Sequence, residues 1–519
     1  MKDFLRRFGG SVAGVLHGFD RMRFRGSKRQ LCHAAGMMSW LGHVRVLMKE
    51  YTQFAKDTTA SLCRSIEEPA RAEKIYAFLN NCKQSKEEVA LQMAAEQKRT
   101  TGLIAVLGCV EPCQIVRTRK NHETQYLEMQ VESGKCKHYY HYYLDPEYGL
   151  RYTRLQSWFP FTMHIGLNGR DWLGQQLTKA GIAYRKLDNC FPWVEDFAAA
   201  QKLANKQLKT NWPRVLDSWV RESHRLAGGF LPCPVPYYWS VEAGEYATDF
   251  AFCSEEELQR IYPLLVEHAR TILKSADLLR FMGYQVRKDG KPSEKMSGEV
   301  ATRIKELVEG ICVKHHVLEN LLKMYDKFGI VLRLESLLRD LRHFKIYRTK
   351  EGDPHGPIEY LRMRQSVADI AGRAEASQQI NARYADSLAS VEEKTSLAEL
   401  TKDLGKPASW KGRSVRALNP LADEDVRLLE AVSRGDFLIS GFRNRDIREI
   451  LFTETPETPA AAKAQSAKVT RLIRLLRAHG LIDKIEKSHR YIVTEKGSAK
   501  LTALLAARHA NTKKLLLAA

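Results

Sequence analysis

About a hundred residues at the C-terminus carry the pattern that most constrains the fold: three helix-like segments followed by two short strand-like segments. The helix-like segments begin at Asp423, at Asn444 and at about Ala462. Their apolar residues recur at the spacing of an amphipathic helix. Gly480 follows the third segment, as a glycine at a helix C-terminus does. Two alternating runs around residues 487–489 then predict a β-hairpin.

The third helix-like segment separates apolar from cationic side chains. Its apolar face is formed by Val469, Leu472, Ile473 and Leu476. Its other positions carry Lys468, Arg471, Arg474 and Arg477. A helix that reads a duplex packs one side on its core and turns cations toward phosphates and base edges. We therefore predict that these four cations contact nucleic acid, together with Lys487, His489 and Arg490 of the hairpin.

This segment resembles the winged-helix domains of MarR-like bacterial regulators, with the hairpin tip and Arg490 as the wing. The resemblance covers residues 421–519 alone. It is architectural, so it implies docking on duplex DNA and carries no catalytic residue with it. MarR-like domains often dimerise, which leaves open whether residues 503–519 pack on a second copy or on the rest of the chain. The alternative is a basic helical bundle that docks on its own protein.

The composition favours a polyanionic partner. The net charge is +21, and such an excess is typical of proteins that bind DNA, RNA or an anionic membrane. No apolar run approaches the roughly 20 residues that span a bilayer, so we expect no membrane partner. The short apolar stretch Val12–Leu16 does not predict a signal peptide. The ten cysteines form no CxxC pair, which favours reduced thiols and a cytoplasmic location.

The body of the chain predicts an α+β multidomain protein with a mixed or antiparallel sheet and many helices. A strand over residues 15–24 opens the chain, and alternation with period two dominates residues 101–167. Turns in that region are predicted at Asn121, Gly134, Pro146, Gly149 and Pro160. Helical patterns surround these strands, and a further sheet block covers residues 311–338.

We accordingly predict four domains. They are an N-terminal strand plus helical region (1–100), an α+β body with an aromatic-rich antiparallel sheet (101–350), a helical segment and linker (351–420), and the C-terminal winged helix (421–519).

Acids on separate predicted strands are the candidate catalytic residues. They are Asp20, Glu245, Asp249, Asp326 and Glu335. Metal-dependent nucleases and transposases converge two or three carboxylates on Mg²⁺, and the metal set predicted here is Asp20, Asp249 and Glu335. Asp326 and Glu335 are expected to face each other across a hairpin around Gly329. The order of the acids is similar to that of RNase-H-like recombinases. The alternative is that each acid pairs with a basic neighbour on an exposed strand face.

Tyr325 is a second candidate for chemistry, as a nucleophile between Lys323 and Lys327. Its segment resembles parts of phage and plasmid replication initiators, which use a pair of histidines one residue apart to bind a metal. His138 and His141 have one residue too many for that pair, and on a regular strand they point to opposite faces. The alternative is that these tyrosines and histidines line a half-buried sheet.

A zinc site built from cysteine is a weaker hypothesis. Cys109, Cys113, Cys136 and His138 supply suitable donor types but lack the spacing of a zinc knuckle. We therefore expect buried free thiols at these positions.

Two further segments predict nucleic-acid contacts. The first combines aromatic residues with the cations Lys137, Arg151 and Arg154, which could stack on bases and hold the backbone. Its aromatic residues are Tyr139, Tyr140, Tyr142, Tyr143, Tyr148, Tyr152, Trp158, Phe159 and Phe161. The second follows Asp20 and contains Arg21, Arg23, Arg25, Lys28 and Arg29. The alternatives are an aromatic-rich core and a protected strand edge.

The whole chain resembles proteins of bacterial mobile elements. Together with the basic charge, this predicts a protein that binds DNA, structured RNA or both. The hypothesis is a DNA transaction, namely Mg²⁺-dependent strand cleavage, recombination or transposition, with a winged helix that docks on duplex. The alternative is a non-catalytic RNA-binding component of a ribonucleoprotein, or a transcription regulator.

Overall fold

The computed structural model describes residues 1–80, 85–223, 231–284, 300–308, 310–353, 355–389, 401–420, 422–434, 437, 441–452, 456, 458–486 and 488–508. Over these residues the chain is mixed α+β, with helices distributed along its length and a large mixed sheet. The α+β class predicted from the sequence is therefore confirmed. Among the described helices, none combines the length and apolar character that a membrane crossing requires.

The α-helices are α1 (Lys2–Phe8), α2 (Ala34–His43), α3 (Tyr51–Ala72), α4 (Lys86–Glu96), α5 (Gly169–Lys179), α6 (Phe197–Lys206), α7 (Trp212–Ser223), α8 (Glu255–Thr271), α9 (Ser275–Phe281), α10 (Ile370–Leu388), α11 (Asp423–Val432), α12 (Asn444–Leu451), α13 (Pro459–Ala478) and α14 (Glu495–Arg508). The 3-10 helices are Gly9–Ser11, Arg29–Cys32, Gln207–Lys209 and Val367–Asp369.

The strands are β1 (Val12–Ser27), β2 (Tyr76–Phe78), β3 (Gly102–Lys120), β4 (Leu127–Asp145), β5 (Gly149–Gln156), β6 (Met163–Asn168), β7 (Tyr184–Leu187), β8 (Cys190–Val194), β9 (Tyr238–Phe252), β10 (Val300–Leu307), β11 (Gly310–Val317), β12 (Asn320–Lys327), β13 (Val331–Leu337), β14 (Lys345–Arg348), β15 (Glu359–Arg362), β16 (Ala408–Trp410), β17 (Arg413–Val415), β18 (Ile482–Lys484) and β19 (Tyr491–Val493).

The main sheet has the order β10-β11-β12-β13-β9-β1-β6-β5-β4-β3-β2. The pairs from β3 to β6 and from β10 to β13 are antiparallel, whereas β2 joins β3 in parallel. The chain divides into two compact units. Unit 1 contains Met1–Leu16, Ala247–Arg364 and Gly372–Ala519, and unit 2 contains His17–Tyr246 and Gln365–Ala371. Strands β1 and β9 each contribute residues to both units.

Unit 2 is built on two long antiparallel strands, β3 and β4. The sequence predicted a turn at Gly134 and two separate strands, but Gly134 lies inside β4, opposite Cys113. That prediction is wrong because the glycine serves a close packing contact and not a turn. A Cβ at this position would lie 2.2 Å from Cδ1 of Ile115, so the neighbouring isoleucine occupies the space of the missing side chain. The predicted turn at Asn121 does follow β3, and the Asn121 side chain accepts hydrogen bonds from two backbone amides of that turn.

Unit 1 is built around a sheet region whose strand β13 is buried at every position. Alternation along this strand places Leu332 and Leu334 in an apolar core that also includes residues of α1, α8, α9 and α10. The same alternation places Arg333 and Glu335 on the other face, where both are buried. A buried strand with charges on one face requires partners for those charges, because an unpaired buried ion is costly.

The C-terminal part of unit 1 has its own apolar core, which joins α11, α12, α13, α14 and the β18–β19 hairpin. The predicted third helix begins at Pro459, with Thr458 as its cap: the Thr458 hydroxyl accepts from the amide of Ala461 at 3.2 Å. The segment predicted as an open linker before this part contains the β16–β17 hairpin. Arg416, next to that hairpin, donates two hydrogen bonds to the buried Asp425 of α11.

Arg333 pairs with Asp249, and removal of either charge should destabilise unit 1. The guanidinium donates from Nε to Oδ1 at 2.6 Å and from Nη2 to Oδ2 at 2.9 Å, and both side chains are at most 2% exposed. We expect Asp249→Asn to lower the free energy of unfolding by about 3–5 kcal/mol, because it removes a carboxylate charge that is buried against the Arg333 guanidinium and makes two hydrogen bonds with it. Chemical denaturation monitored by circular dichroism measures this change.

Glu267→Gln provides the matched control for that experiment. Glu267 also forms a two-bonded pair with an arginine, Arg270, but both side chains are more than half exposed. Its substitution should cost less than about 1 kcal/mol. Equal costs for the two variants would contradict the assignment of Asp249 and Arg333 as a buried structural pair.

Candidate nucleic-acid interface

Helix α13 buries one face and exposes the other. Its buried residues are Val469, Leu472, Ile473, Leu475 and Leu476. Arg471 and Arg474 are exposed on the opposite side. Lys468 is also exposed, and its ammonium lies 2.7 Å from the carboxylate of Glu424 on α11. An exposed ion pair of this kind contributes little to stability, so Lys468 can exchange this partner for a phosphate at small cost.

Arg477 differs from the other predicted cations of α13. Its guanidinium carbon lies 4.4 Å from the ring centroid of Trp410 and 5.8 Å from that of Tyr491. The side chain is half-buried between the β16–β17 hairpin and the β18–β19 hairpin. The contacts of Arg477 are therefore those of a structural cation–π interaction.

The predicted hairpin cations also separate into different environments. His489 is exposed, whereas Arg490 is 6% exposed and donates from Nη2 to the carbonyl oxygen of Gly441 at 2.6 Å. The Arg490 guanidinium also lies 5.2 Å and 5.0 Å from the ring centroids of Tyr347 and Tyr360. These contacts fix the hairpin against its surroundings and turn the cation away from solvent. Lys487 lies outside the described residues.

The N-terminal cations follow the predicted alternation on β1. Arg21, Arg23 and Arg25 are exposed and alternate with buried residues. Lys28 is 3% exposed, its ammonium donates to the carbonyl oxygen of Val235, and burial lowers its pKa to about 8. That burial argues against a phosphate contact by Lys28. Arg29 is exposed, and its guanidinium carbon lies 3.2 Å from the ring centroid of Tyr238.

Most of the aromatic residues predicted to stack on bases lie in the core. The buried ones are Tyr139, Tyr142, Tyr143, Tyr148, Phe159 and Phe161, and the half-buried ones are Tyr140, Tyr152 and Trp158. Lys137 pairs with Glu67 at 2.7 Å. Arg151 is 1% exposed and pairs with Asp145 and Glu222. Rings and cations in these positions stabilise the sheet, which argues against an open base-stacking platform.

The third cation of that segment, Arg154, belongs to a row of charged and polar side chains that we call the charge ladder. In order, the ladder contains Lys86, Glu111, Arg154, His164, Glu242 and Arg23. Successive members are 3.0, 2.9, 3.1, 3.5 and 2.6 Å apart. Together with Tyr140 and Tyr152, its last five members line a cavity of about 240 Å³.

Each acid of the ladder is paired with a cation of the ladder. Burial raises the pKa of Glu111, but hydrogen bonds from Lys86 and Tyr140 and the charge of Arg154 outweigh it and lower that pKa to about 2. The pKa of Glu242 is likewise lowered to about 2, where burial is outweighed by His164 and Arg23. Burial lowers the pKa of His164. Sequence reasoning missed Glu111, His164 and Glu242, because their proximity depends on the register of five strands.

The predicted acids of unit 1 have basic partners or lie apart. Asp249 pairs with Arg333, and Glu335 accepts a hydrogen bond from its direct cross-strand neighbour Lys323. Asp326 lies opposite Leu332 and therefore on the other face of the sheet from Glu335. The expectation that Asp326 and Glu335 face each other is wrong, because the β12–β13 turn sets the register three residues away from that pairing. Burial raises the pKa of Asp326.

The predicted acids of unit 2 lie on the expected strands. Asp20 is 1% exposed on β1 and accepts a hydrogen bond from Nδ2 of Asn189. Glu245 lies half-buried on β9. Burial lowers the pKa of Arg21, but the charges of Asp20 and Glu245 outweigh it and raise that pKa. Arg21 therefore interacts electrostatically with both acids. Binding of Mg²⁺ by Asp20, Asp249 and Glu335 stays a prediction.

The remaining candidates for chemistry are partly or fully buried. Burial raises the pKa of Tyr325, whereas a nucleophilic tyrosine needs a lowered pKa. The flanking lysines, Lys323 and Lys327, are also buried. His138 and His141 are three residues apart on β4 and therefore lie on opposite faces of the strand, as the sequence predicted.

Three potential metal-binding side chains lie closer together than the sequence led us to expect. Cys113, Cys136 and His138 each offer a donor atom, and these atoms lie within 4.8 Å of one another in unit 2. Cys109, the fourth residue considered from the sequence, is a buried free thiol. The signal that could have found the cluster is the register of β3 against β4, which a single sequence does not provide.

The charge ladder predicts a specific loss of stability in acid. Because the pKa of Glu111 is about 2 in the fold and 4.5 as its ordinary value, its stabilising effect is present above pH 4.5 and is lost as the pH falls toward 2. We expect the difference in melting temperature between wild type and Glu111→Gln to be largest at pH 5 to 7 and to shrink by pH 2. Differential scanning calorimetry across this range measures it.

Glu123→Gln is the control, because Glu123 is an exposed residue in the turn after β3. Its difference from wild type should be small at every pH. A Glu111→Gln difference that does not vary with pH would show that the carboxylate charge is irrelevant to the fold.

The exposed cations of α13 and the charge ladder of unit 2 are thus two separate polar features of the described residues. One is open to a polyanion, and in the other each acid is paired with cations of the ladder. Comparison with protein-family models, with curated proteins and with solved structures finds no match for this chain.

Proposed function

We propose that the protein binds double-stranded nucleic acid, with residues 421–519 as a winged-helix domain that docks on the duplex. The observation that carries this proposal is α13, which exposes Arg471 and Arg474 directly opposite its buried apolar face. The order of elements supports it: α11, α12 and α13 are followed by the antiparallel β18–β19 hairpin. In three-helix variants of the helix-turn-helix, such as the homeodomain, the third helix enters the major groove.

Contacts between α12 and α13 support the same interpretation. Nδ2 of Asn444, at the start of α12, donates to the carbonyl oxygen of Ser466 at 3.0 Å and to the hydroxyl of Thr470 at 2.9 Å. The Ser466 hydroxyl donates back to Oδ1 of Asn444 at 3.1 Å. These bonds fix the angle between the two helices. A recognition helix held rigidly can present its cations without a cost of ordering on binding.

The positive charge of the chain supports a polyanionic partner. With a net charge of +21, the chain is attracted to any polyanion, and the exposed cations of α13 give that attraction a defined place. The proposed partners are duplex DNA, structured RNA and a second copy of the chain. The described cysteines are free thiols, which supports a cytoplasmic location. The resemblance to mobile-element proteins extends the proposal to a DNA transaction.

The double variant Arg471→Ala/Arg474→Ala tests the docking surface. If both arginines contact phosphates, the variant should bind a duplex roughly tenfold or more weakly, and the slope of log K against log salt should become shallower by about 1.8. Fluorescence anisotropy with labelled 30-mer DNA and RNA duplexes, at a series of salt concentrations, measures both quantities.

The matched control is Arg214→Ala/Arg270→Ala, which removes two exposed helical arginines from α7 and α8. It changes the net charge by the same amount and should leave the salt slope nearly unaltered. Equal slopes for the two double variants would show that α13 is not the docking surface. A clear preference for the RNA duplex would favour the ribonucleoprotein alternative.

A second candidate function is metal-dependent strand cleavage. The observation that favours it is Asp20, a carboxylate that is buried on a strand and accepts a hydrogen bond from Nδ2 of Asn189. In unit 1 a metal would have to compete with Arg333 for Asp249 and with Lys323 for Glu335. Mg²⁺, if bound at this set, would supply water activation and charge neutralisation.

The purified protein with Mg²⁺ should then nick DNA that carries the ends of its element, and Asp20→Asn should abolish nicking while it leaves duplex binding unchanged. Asp483→Asn, which alters an exposed acid of β18, is the control and should nick as wild type does. Absence of nicking by the wild type rejects this candidate and leaves the docking proposal standing.

A further inference from the structure

Two cysteines and one histidine meet on one face of the β3–β4 pair. The register places Cys113 opposite Gly134, Cys136 opposite Glu111 and His138 opposite Cys109. Positions two residues apart on a strand share a face, so all three side chains lie on the same side of the sheet.

The separation of the two sulfur atoms distinguishes between two chemistries. Sγ of Cys113 lies 3.3 Å from Sγ of Cys136. Two thiolates on one tetrahedral zinc ion, with bonds of about 2.3 Å, lie about 3.8 Å apart. A disulfide requires about 2.05 Å. The observed separation is closer to the zinc geometry, and a small outward movement of the side chains would complete it.

His138 is held as a metal-binding histidine is held. Its ring is 1% exposed, and Nδ1 lies 3.1 Å from the carbonyl oxygen of Cys136. A hydrogen bond from Nδ1–H to a backbone carbonyl fixes the tautomer and leaves Nε2 as the lone-pair donor, as in most zinc-bound histidines.

We propose that Cys113, Cys136 and His138 form a zinc site that joins β3 to β4. Within the described residues these three donors form the cluster, so the fourth position of the tetrahedron would be taken by water or another small ligand. The site is independent of the proposed docking surface on α13. Its effect is to fix the register of the longest strand pair of unit 2.

Metal content of the full-length protein tests the proposal. The chain is purified without chelator, and zinc is measured by plasma mass spectrometry. We expect one zinc per chain in the wild type, loss of that zinc in Cys113→Ser/Cys136→Ser, and retention in Cys109→Ala. Cys109→Ala is the matched control, because Cys109 is a buried thiol on the same strand and outside the cluster.

A spectroscopic measurement on the wild type makes the test independent of variant folding. Zinc is removed with a chelator and replaced by Co²⁺, which should give the visible absorption of tetrahedral coordination and the ultraviolet charge-transfer band of cobalt–thiolate bonds. Octahedral, thiolate-free absorption would overturn the proposal. So would a wild type that holds no zinc after loading, or zinc retained in the double variant. Mass spectrometry that finds a Cys113–Cys136 disulfide in freshly purified protein would replace the metal site with a redox pair.

Discussion

The register of β3 against β4 is the constraint on which most of unit 2 depends. Because side chains alternate with period two, a slip of one residue in β4 would move Cys136 and His138 to the face opposite Glu111 and Cys113. The same register, continued through β5 and β6, sets Arg154 beside His164. Gly134 supports it, since only a residue without a side chain leaves room for Ile115. The charge ladder and the cysteine–histidine cluster are therefore two consequences of one pairing.

Burial determines which of the many cations remain available to a partner. An arginine inside the fold needs a carboxylate, a carbonyl or an aromatic face, and Arg333, Arg151 and Arg490 each have such partners. These residues stabilise the protein, and their guanidinium groups are not available to a nucleic acid. The large positive net charge therefore overstates the surface available to a polyanion, which is limited to the cations that have exposed side chains.

Much of the fold and the exposed cations of α13 could be predicted from local patterns, whereas the sites that combine several strands could not. The helices around residues 423, 444 and 462 and the strand of residues 15–24 follow from periodicity, which is a local property. Gly134 was misplaced as a turn because glycine marks both turns and close contacts. The pairing of Glu335 with Lys323, and not with a neighbour along its own strand, depends on long-range register. Register was also needed to bring Cys113 to Cys136 across 22 intervening positions.

The same distinction between local pattern and long-range register explains why the functional inference from α13 is firmer than the inference from the acids. The evidence for α13 is amphipathicity, which requires one face to be buried and the other to be exposed to solvent. The spacing of Val469, Leu472 and Leu476 predicts a buried face, and these three residues are buried. The acids on strands offer no such internal check, because a carboxylate on a buried face satisfies its charge equally well with a metal, an arginine or a lysine. For Asp249 and Glu335 the available partners are Arg333 and Lys323. A catalytic role for those two acids would therefore require the protein to exchange a protein cation for a metal ion, whereas α13 needs no rearrangement to meet a phosphate.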